Sequence, residues 1–505
     1  MTKKKFLMQG TILTIIALVM RSTNMYFRSY LSVKIGAEGM GLYQLIFSVF
    51  LLATTLSTSG ISLAVTRLVS SLIAKNKRGE IKSTVTKCLA FCLFLSLSIS
   101  SIFFFCSDFI AINFLSNAMA SPSLKILGLG LPFMSICTCI KGYFLAVDEG
   151  VSSGIADLVE QIITIGGTVV IFTFFPFENI ETACVYAMIA STLGEISSFL
   201  IDFISMKLSL MKHCPKKREK SHGVIKSLSH IALPCTLSST ARSLLNTAEN
   251  LLVPIKLQQS GLSYSLSMNQ YGLLSGMAFP ILYFPSALIG PFASLLIPKI
   301  CREKELSHPN AVAYITEKAV GTAVSFGIIT SAVFFSFSSL LADVFYQSTD
   351  AGIYIAILSP LVPLMYLDIV VDCLLKGLDQ QLNSMKYNIL DSSIRLVLVM
   401  TFMSIFAMKS YIVIIFISMI LNASLSFGKV IKVTGMGFSF LKKLFYQIPL
   451  AISSIAVASL FAKSFLANSS LYGTQNKSLE LIIVLSISYA VYGCVCLFVE
   501  RKRKL

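Results

Sequence analysis

The sequence predicts an all-α, polytopic membrane protein of about fourteen transmembrane helices, built as two pseudo-symmetric six-helix lobes followed by two C-terminal helices. Three observations lead there. Hydrophobic residues fill 55% of the 505 positions and charged residues 13%, with a mean hydropathy of +0.79, so no sizeable soluble domain fits inside the chain. Apolar runs long enough to cross a hydrocarbon layer recur along the whole length. Lys and Arg gather in short clusters between these runs, alternating from one side to the other.

The spans expected from the apolar runs are 6–31, 40–67, 84–106, 122–147, 155–176, 182–206, 226–254, 270–298, 312–336, 353–376, 385–408, 410–432, 443–465 and 478–499. The first follows Thr2-Lys3-Lys4-Lys5 and has the charged and apolar regions of a signal peptide, but no small-residue cleavage site comes after it. It reads as an uncleaved first helix. With the N-terminus inside, roughly 30 of the 41 Lys and Arg fall on the cytoplasmic side. They include Lys75-Asn76-Lys77-Arg78, Lys216-Lys217-Arg218, Arg302 with Lys304, Lys442-Lys443 and Arg501 to Lys504. Lys34, Lys125, Lys256, Lys409, Lys463 and Lys477 fall outside. The expected location is therefore the cell membrane, multi-pass, with both termini cytoplasmic. The formal charge of +17 is scattered through these clusters, so membrane lipids are the expected partners and nucleic acid is not.

A faint internal repeat supports the two lobes. A shift of about 231 positions lays Gly41-Leu42 on Gly272-Leu273, Asp148 on Asp379, Ser153 on Ser384 and Glu160 on Asp391. Earlier the shift is about 225 and pairs Asn24 with Glu249 and Gly36 with Gly261. Low-complexity apolar sequence also gives such matches by chance. The organisation expected is an N-lobe over 1–206, a cytoplasmic linker over 207–225, a C-lobe over 226–432, and over 433–505 helices 13 and 14 with a basic tail.

The cysteines sit mostly in apolar runs without a CxxC pair, and read as small packing residues. His213, His222, His230 and His308 lie in or beside loops with no ligand spacing, so neither a metal site nor disulfides are expected.

Polar residues inside the spans mark the candidate site. Arg21, Asn24 and Arg28 stand at i, i+3 and i+7, on one face of the first helix. Arg21 is roughly 24 Å along the helix from Lys5, well inside a hydrocarbon layer of about 30 Å. A cation there is expensive and marks a substrate path or a watery cavity; Arg28, nearer the outer end, either joins it or snorkels to the interface. Helix 7 carries Arg242, Asn246, Glu249 and Asn250 on one face, with Arg242 at a depth similar to Arg21. Helices 1 and 7 are expected to meet across one cationic cavity, the alternative being an Arg to Glu pair that only holds the bundle together. Asp391 and Arg395 at i, i+4 form a self-neutralising pair, whereas Glu160 has no Arg in its own helix and is a candidate for ion coupling. Arg67 lies close enough to Lys75 to reach headgroups. The prolines Pro234, Pro254, Pro280, Pro285, Pro291 and Pro298 are expected to break helices 7 and 8.

The run GAEGMGLYQLIFSVFLLATTLSTSGISLAVTRLVS (36–70), with Gly142-Tyr143-Phe144, Glu160-Gln161 and the proline-rich helix ending SLLIPKI, resembles the stage V sporulation protein B group of Gram-positive polysaccharide and lipid exporters. That group is related to the lipid II flippases of the multidrug/oligosaccharidyl-lipid/polysaccharide superfamily. The resemblance implies two six-helix lobes, a groove from helices 13 and 14 for a polyprenyl tail, and substrate contact by Arg21 and Arg28, with Arg67 at the basic end of helix 2. Thr164 departs from it, standing where an Arg would be expected. The expected activity is transport, not catalysis: a flippase for an undecaprenyl-pyrophosphate-linked sugar, a peptidoglycan precursor for spore cortex. Flipping calls for no cofactor. The expected partners are this lipid-linked saccharide, membrane lipids and, as candidates, cell-wall synthesis proteins. Alternatives are an O-unit type oligosaccharide flippase, a cation-coupled drug antiporter, which would want an acidic cavity, and a membrane-embedded glycosyltransferase, which would need clustered loop carboxylates where only Asp108, Asp343 and Asp350 stand.

Overall fold

The computed structural model describes residues 3–213, 219, 221, 223–437, 447–460 and 477–502. Lys216-Lys217-Arg218, Lys442-Lys443, Lys463, the ends of the thirteenth expected span and the last residues of the basic tail lie outside the described residues.

Each expected span falls on a helix wherever it is described, and the protein is an all-α polytopic membrane protein. The first two spans run together in α1 (Lys3–Thr58), which breaks at Gly36, where φ of 69° and ψ of −175° suit a residue without Cβ. The second span continues past a further break at Gly60, φ 74°, into α2 (Ile61–Ala74), so it ends later than the apolar run suggests. Four helices follow: α3 (Arg78–Asn113), α4 (Ser121–Ala146), α5 (Gly150–Phe174) and α6 (Ile180–His213).

Next comes α7 (Val224–Gln259), which runs through Pro234 and Pro254. The expectation that prolines break this helix is therefore not met: Pro254 is buried in a continuous helix, held by its packing. Although 36 residues long, α7 is absent from the helices apolar enough to span on hydropathy alone, because its polar face lowers the average. The eighth span does break. It comprises α8 (Tyr264–Tyr271), a π-helical turn (Gly272–Ala278) and α9 (Phe279–Tyr283), then a 55° bend at Phe284-Pro285 into α10 (Ser286–Glu305).

After α11 (Pro309–Ser336) comes the short α12 (Ser338–Tyr346), which the apolar runs did not foretell. The tenth span is α13 (Thr349–Leu358) with α14 (Val362–Gly377), joined by a 3₁₀ turn at Pro360. The next two spans form α15 (Gln381–Thr434), broken at Ala407, φ 51° and ψ −137°. Ser410 answers that break by donating its hydroxyl to the carbonyl of Ala407 at 2.8 Å. Last come α16 (Gln447–Leu460) and α17 (Lys477–Lys502).

The chain divides into two compact units, residues 1–27 with 38–269, and residues 28–37 with 270–505. Packing thus groups α7 with the first six spans, whereas the sequence repeat starts a new copy at α7. In the first unit the core is α2, α3, α4, α6 and α7, closing over Val65, Val69, Val85, Cys88, Cys92, Tyr143 and Leu228. Cys88, Cys92 and Cys139 are fully buried there as packing residues, while Cys106 and Cys494 are exposed instead, on helix faces turned away from neighbouring helices.

Candidate functional site

Six of the seven cavity residues lie in the first unit. Arg21 and Asn24 on α1 and Arg242 on α7 are exposed, Asn246 and Asn250 are half-buried, and Glu249 is buried. The local packing explains how they are held. On α5, Gly154 leaves room for Leu13 and Ile16 of α1. Two turns on, the Gln161 side-chain amide donates to the Met20 carbonyl at 2.9 Å, fixing α1 one residue before Arg21. Gln161 is a positioning residue that the spacing argument missed.

On α7, Thr247 donates to the Ser48 carbonyl at 3.1 Å and Asn250 to the Ser48 hydroxyl at 3.0 Å, while Thr236 donates to the Ser59 carbonyl at 2.6 Å. Gly60 admits the close approach: a Cβ there would stand 2.7 Å from the Ala232 carbonyl oxygen. Asn250 is therefore engaged in holding α7 against residues 37–58 of α1, and Arg242 is the exposed member of the α7 face.

The seventh residue, Arg28, belongs to the second unit. It is half-buried and within electrostatic range of the Tyr346 hydroxyl on α12, and its neighbour Ser29 donates to the carbonyl of Phe345. Arg67 is exposed on α2, two turns from the helix end, as snorkelling to headgroups requires.

The candidate coupling residues separate in the same way. Glu160 on α5 is half-buried, and the cation near it comes from α4: Lys141 lies within its electrostatic range and pairs with Asp157 at 2.6 Å. Thr164, the departure from the resemblance, fits against Gly194 of α6, where a Cβ would lie 2.2 Å from the Thr164 hydroxyl oxygen. The larger Arg has no room on that side of α5. In the second unit Asp391 is buried and accepts from the Ser418 hydroxyl at 2.6 Å, with Arg395 half-buried one turn on.

Two loop-side acids available for catalysis are taken up by ion pairs. Asp108 pairs with Lys125 at 2.9 Å and Asp343 with Lys477 at 2.5 Å. Among the described residues no three His, Cys, Asp or Glu converge to hold a metal ion.

At the end of the first unit that carries Lys75 and Arg78, Glu149 stands in the turn between α4 and α5. Ser209 donates to it at 2.5 Å, so the Tyr143 hydroxyl, 3.0 Å from Ser209, is the donor in their contact. Burial alone pushes the Glu149 carboxyl up, but the Ser209 hydrogen bond with the charges of His213 and Lys212 outweighs it, and the net position is below the usual carboxylate value. A depressed acid stabilises the fold above its unfolded value of about 4.3, and that contribution is lost as the pH falls through the lower folded value. Thermal unfolding of Glu149→Gln is expected to lose less midpoint on acidification than the unaltered protein; equal losses would contradict the network. The neighbouring cavity, about 150 Å³ and lined by Arg78, Tyr143, Asp148 and His213 among others, is too small for a saccharide, since ligand sites usually hold about 300 Å³ or more.

Residues 7–304 match the polysaccharide biosynthesis protein family. The chain belongs to that family. Relatives include Stage V sporulation protein B of Bacillus subtilis (strain 168), 28% identical over 371 residues, covering 72% of this chain and 71% of that protein. Sporulation protein YkvU of the same organism is 21% identical over 332 residues, 65% of this chain and 72% of that one. Among solved structures, the lipid II flippase MurJ in an inward closed conformation superposes with a TM-score of 0.71 at 14% identity, over 98% of this chain and 100% of that chain. An inward-facing multidrug resistance transporter of the MATE family superposes with a TM-score of 0.65 at 14% identity, over 84% of this chain and 98% of that one. This member of the polysaccharide biosynthesis protein family thus has the fold of these two transporters.

Proposed function

We propose that the protein is a flippase that carries an undecaprenyl-pyrophosphate-linked sugar across the cell membrane by alternating access. The observation that carries this reading is the exposed pair Arg21 and Arg242, two guanidinium groups inside spans of the same unit. Guanidinium matches phosphate oxygens bidentately, and a diphosphate-sugar headgroup cannot cross hydrocarbon unaided. Asn24 and Asn246 supply amides on the same helix faces as these arginines.

The names of the two relatives, both given for sporulation, support a cargo used in spore formation, for which a peptidoglycan precursor for spore cortex is the candidate. Moving two negative charges outward down an inside-negative potential of about 100 mV releases roughly 4.6 kcal/mol, enough to drive export without chemistry on the substrate. Glu160, half-buried with Lys141 in electrostatic range, is the candidate for coupling an ion to that movement. The ion pairs of Asp108 and Asp343 weigh against the glycosyltransferase alternative.

Reconstitution in liposomes tests the reading. Fluorescent lipid-linked oligosaccharide should exchange leaflets faster than in empty liposomes, read by an impermeant quencher, and equal rates would overturn it. The orientation proposed, with both termini cytoplasmic, predicts that an impermeant thiol probe outside cells labels cysteines introduced at Asn468 to Gln475 but none at Lys216 to Lys220. Labelling of the second segment would reverse it.

A further inference from the structure

We propose that Asp202 and Glu195 on α6 form a proton-binding site sealed between α4, α5 and α6, separate from the arginine face of the same unit. Asp202 is fully buried, and neither of its carboxylate oxygens has a hydrogen-bond partner. Glu195, two turns earlier and 4% exposed, has its Oε2 equally unpartnered. The room for it is built: it lies against the bare backbone of Gly130 on α4, where a Cβ would stand 2.1 Å from that oxygen.

The charges facing this pocket come from all three helices. From α4 there are Lys141 and the thiol of Cys137, from α5 Asp157 and Glu160, and α6 adds the buried hydroxyl of Ser198. Asp157, Glu160 and Asp202 therefore share one ammonium, which is engaged with Asp157 at 2.6 Å, while Glu195 has only the carboxyl of Glu160 within electrostatic range. Deprotonated Asp202 and Glu195 would each be a buried charge without a partner, the arrangement that packed interiors tolerate least. A metal ion does not answer the charge, since no three acidic, His or Cys groups among the described residues converge on one point. A proton on each of the two carboxylates does. Lys141, within range of both Asp157 and Asp202, is then the group that a lost proton would draw across.

The inference rests on burial and packing in the first unit and not on the substrate assigned above. Infrared spectra of the full-length protein in lipid nanodiscs at neutral pH, in water and in deuterium oxide, test it directly. The expected result is a carbonyl band of protonated carboxylic acid that shifts in deuterium oxide, part of it lost in Asp202→Asn and part in Glu195→Gln. A spectrum without such a band, or a band that neither variant reduces, would overturn the site, and a band that sodium ions abolish at constant pH would replace the proton by sodium. If Asp202→Asn does not reach the membrane, Glu195→Gln carries the same comparison. In flipping assays Asp202→Asn should flatten the pH profile while binding of prenyl diphosphate stays unchanged; a pH profile identical to that of the unaltered protein would remove the site from the cycle. Absence of flipping by the unaltered protein at every pH would instead count against the substrate reading, leaving the infrared result standing.

Discussion

Arg21→Ala is expected to abolish flipping while the protein still reaches the membrane at normal abundance. Arg21 is exposed on α1, so its removal leaves the helix packing intact, whereas a charge-assisted phosphate contact is worth about 1.5–3 kcal/mol, or roughly 10- to 150-fold in binding. Arg21→Lys should retain part of the activity, because an ammonium keeps the charge but loses the bidentate fork. The competing explanation is a structural pair with Glu249, which is buried on α7. If that pair were the whole role, Arg21→Ala with Glu249→Ala would recover what Arg21→Ala loses, since removing both partners leaves no stranded charge. A substrate contact predicts no recovery, so flipping and abundance measured on single and double variants separate the two.

Gly142→Leu is expected to remove the protein from the membrane fraction altogether. In the Gly142-Tyr143-Phe144 run, a Cβ on Gly142 would lie 2.6 Å from the Ser62 carbonyl oxygen, and the Gly142 carbonyl accepts from Thr66 at 2.8 Å. Here α4 and α2 touch backbone to backbone, so the side chain has no flexible neighbour to displace. Overpacking typically costs about 1–3 kcal/mol, and a contact with backbone on both sides sits at the upper end or above. Gly166→Ala in α5 is the control, since nothing lies within 4 Å of its Cβ position. Normal membrane abundance of Gly142→Leu would contradict this account of the motif.

The number and order of the spans were legible because lipid leaves the backbone one way to satisfy itself, and apolar length reports it directly. The break near Ala407 was legible as the boundary between the spans 385–408 and 410–432, but its form was not, since alanine carries no signal for a positive φ. Nor was α12, whose run Ser338–Tyr346 is too short for an apolar-window reading. At the candidate site, spacing identified the arginines, the asparagines and Glu249, but spacing along a helix says only which residues share a face. It could not show that Arg28 lies near α12 in one unit while Met20, next to Arg21, is held to α5 in the other. Lys141 escaped notice because it sits inside an apolar run and its partner Asp157 lies on the next helix. The Glu195 and Asp202 spacing is visible in the sequence; their burial, that of Glu195 against Gly130, depends on how three helices meet.

The central claim is that the arginines of the first unit recognise a diphosphate. Flipping rates of two fluorescent prenyl-linked sugars, one joined through a diphosphate and one through a monophosphate, measured side by side in liposomes with the unaltered protein and with Arg21→Ala, test it most directly. The account predicts that the unaltered protein prefers the diphosphate by at least about tenfold, the equivalent of one charge-assisted contact, and that Arg21→Ala loses that preference. Equal rates for the two lipids in the unaltered protein, or a preference that survives Arg21→Ala, would contradict it.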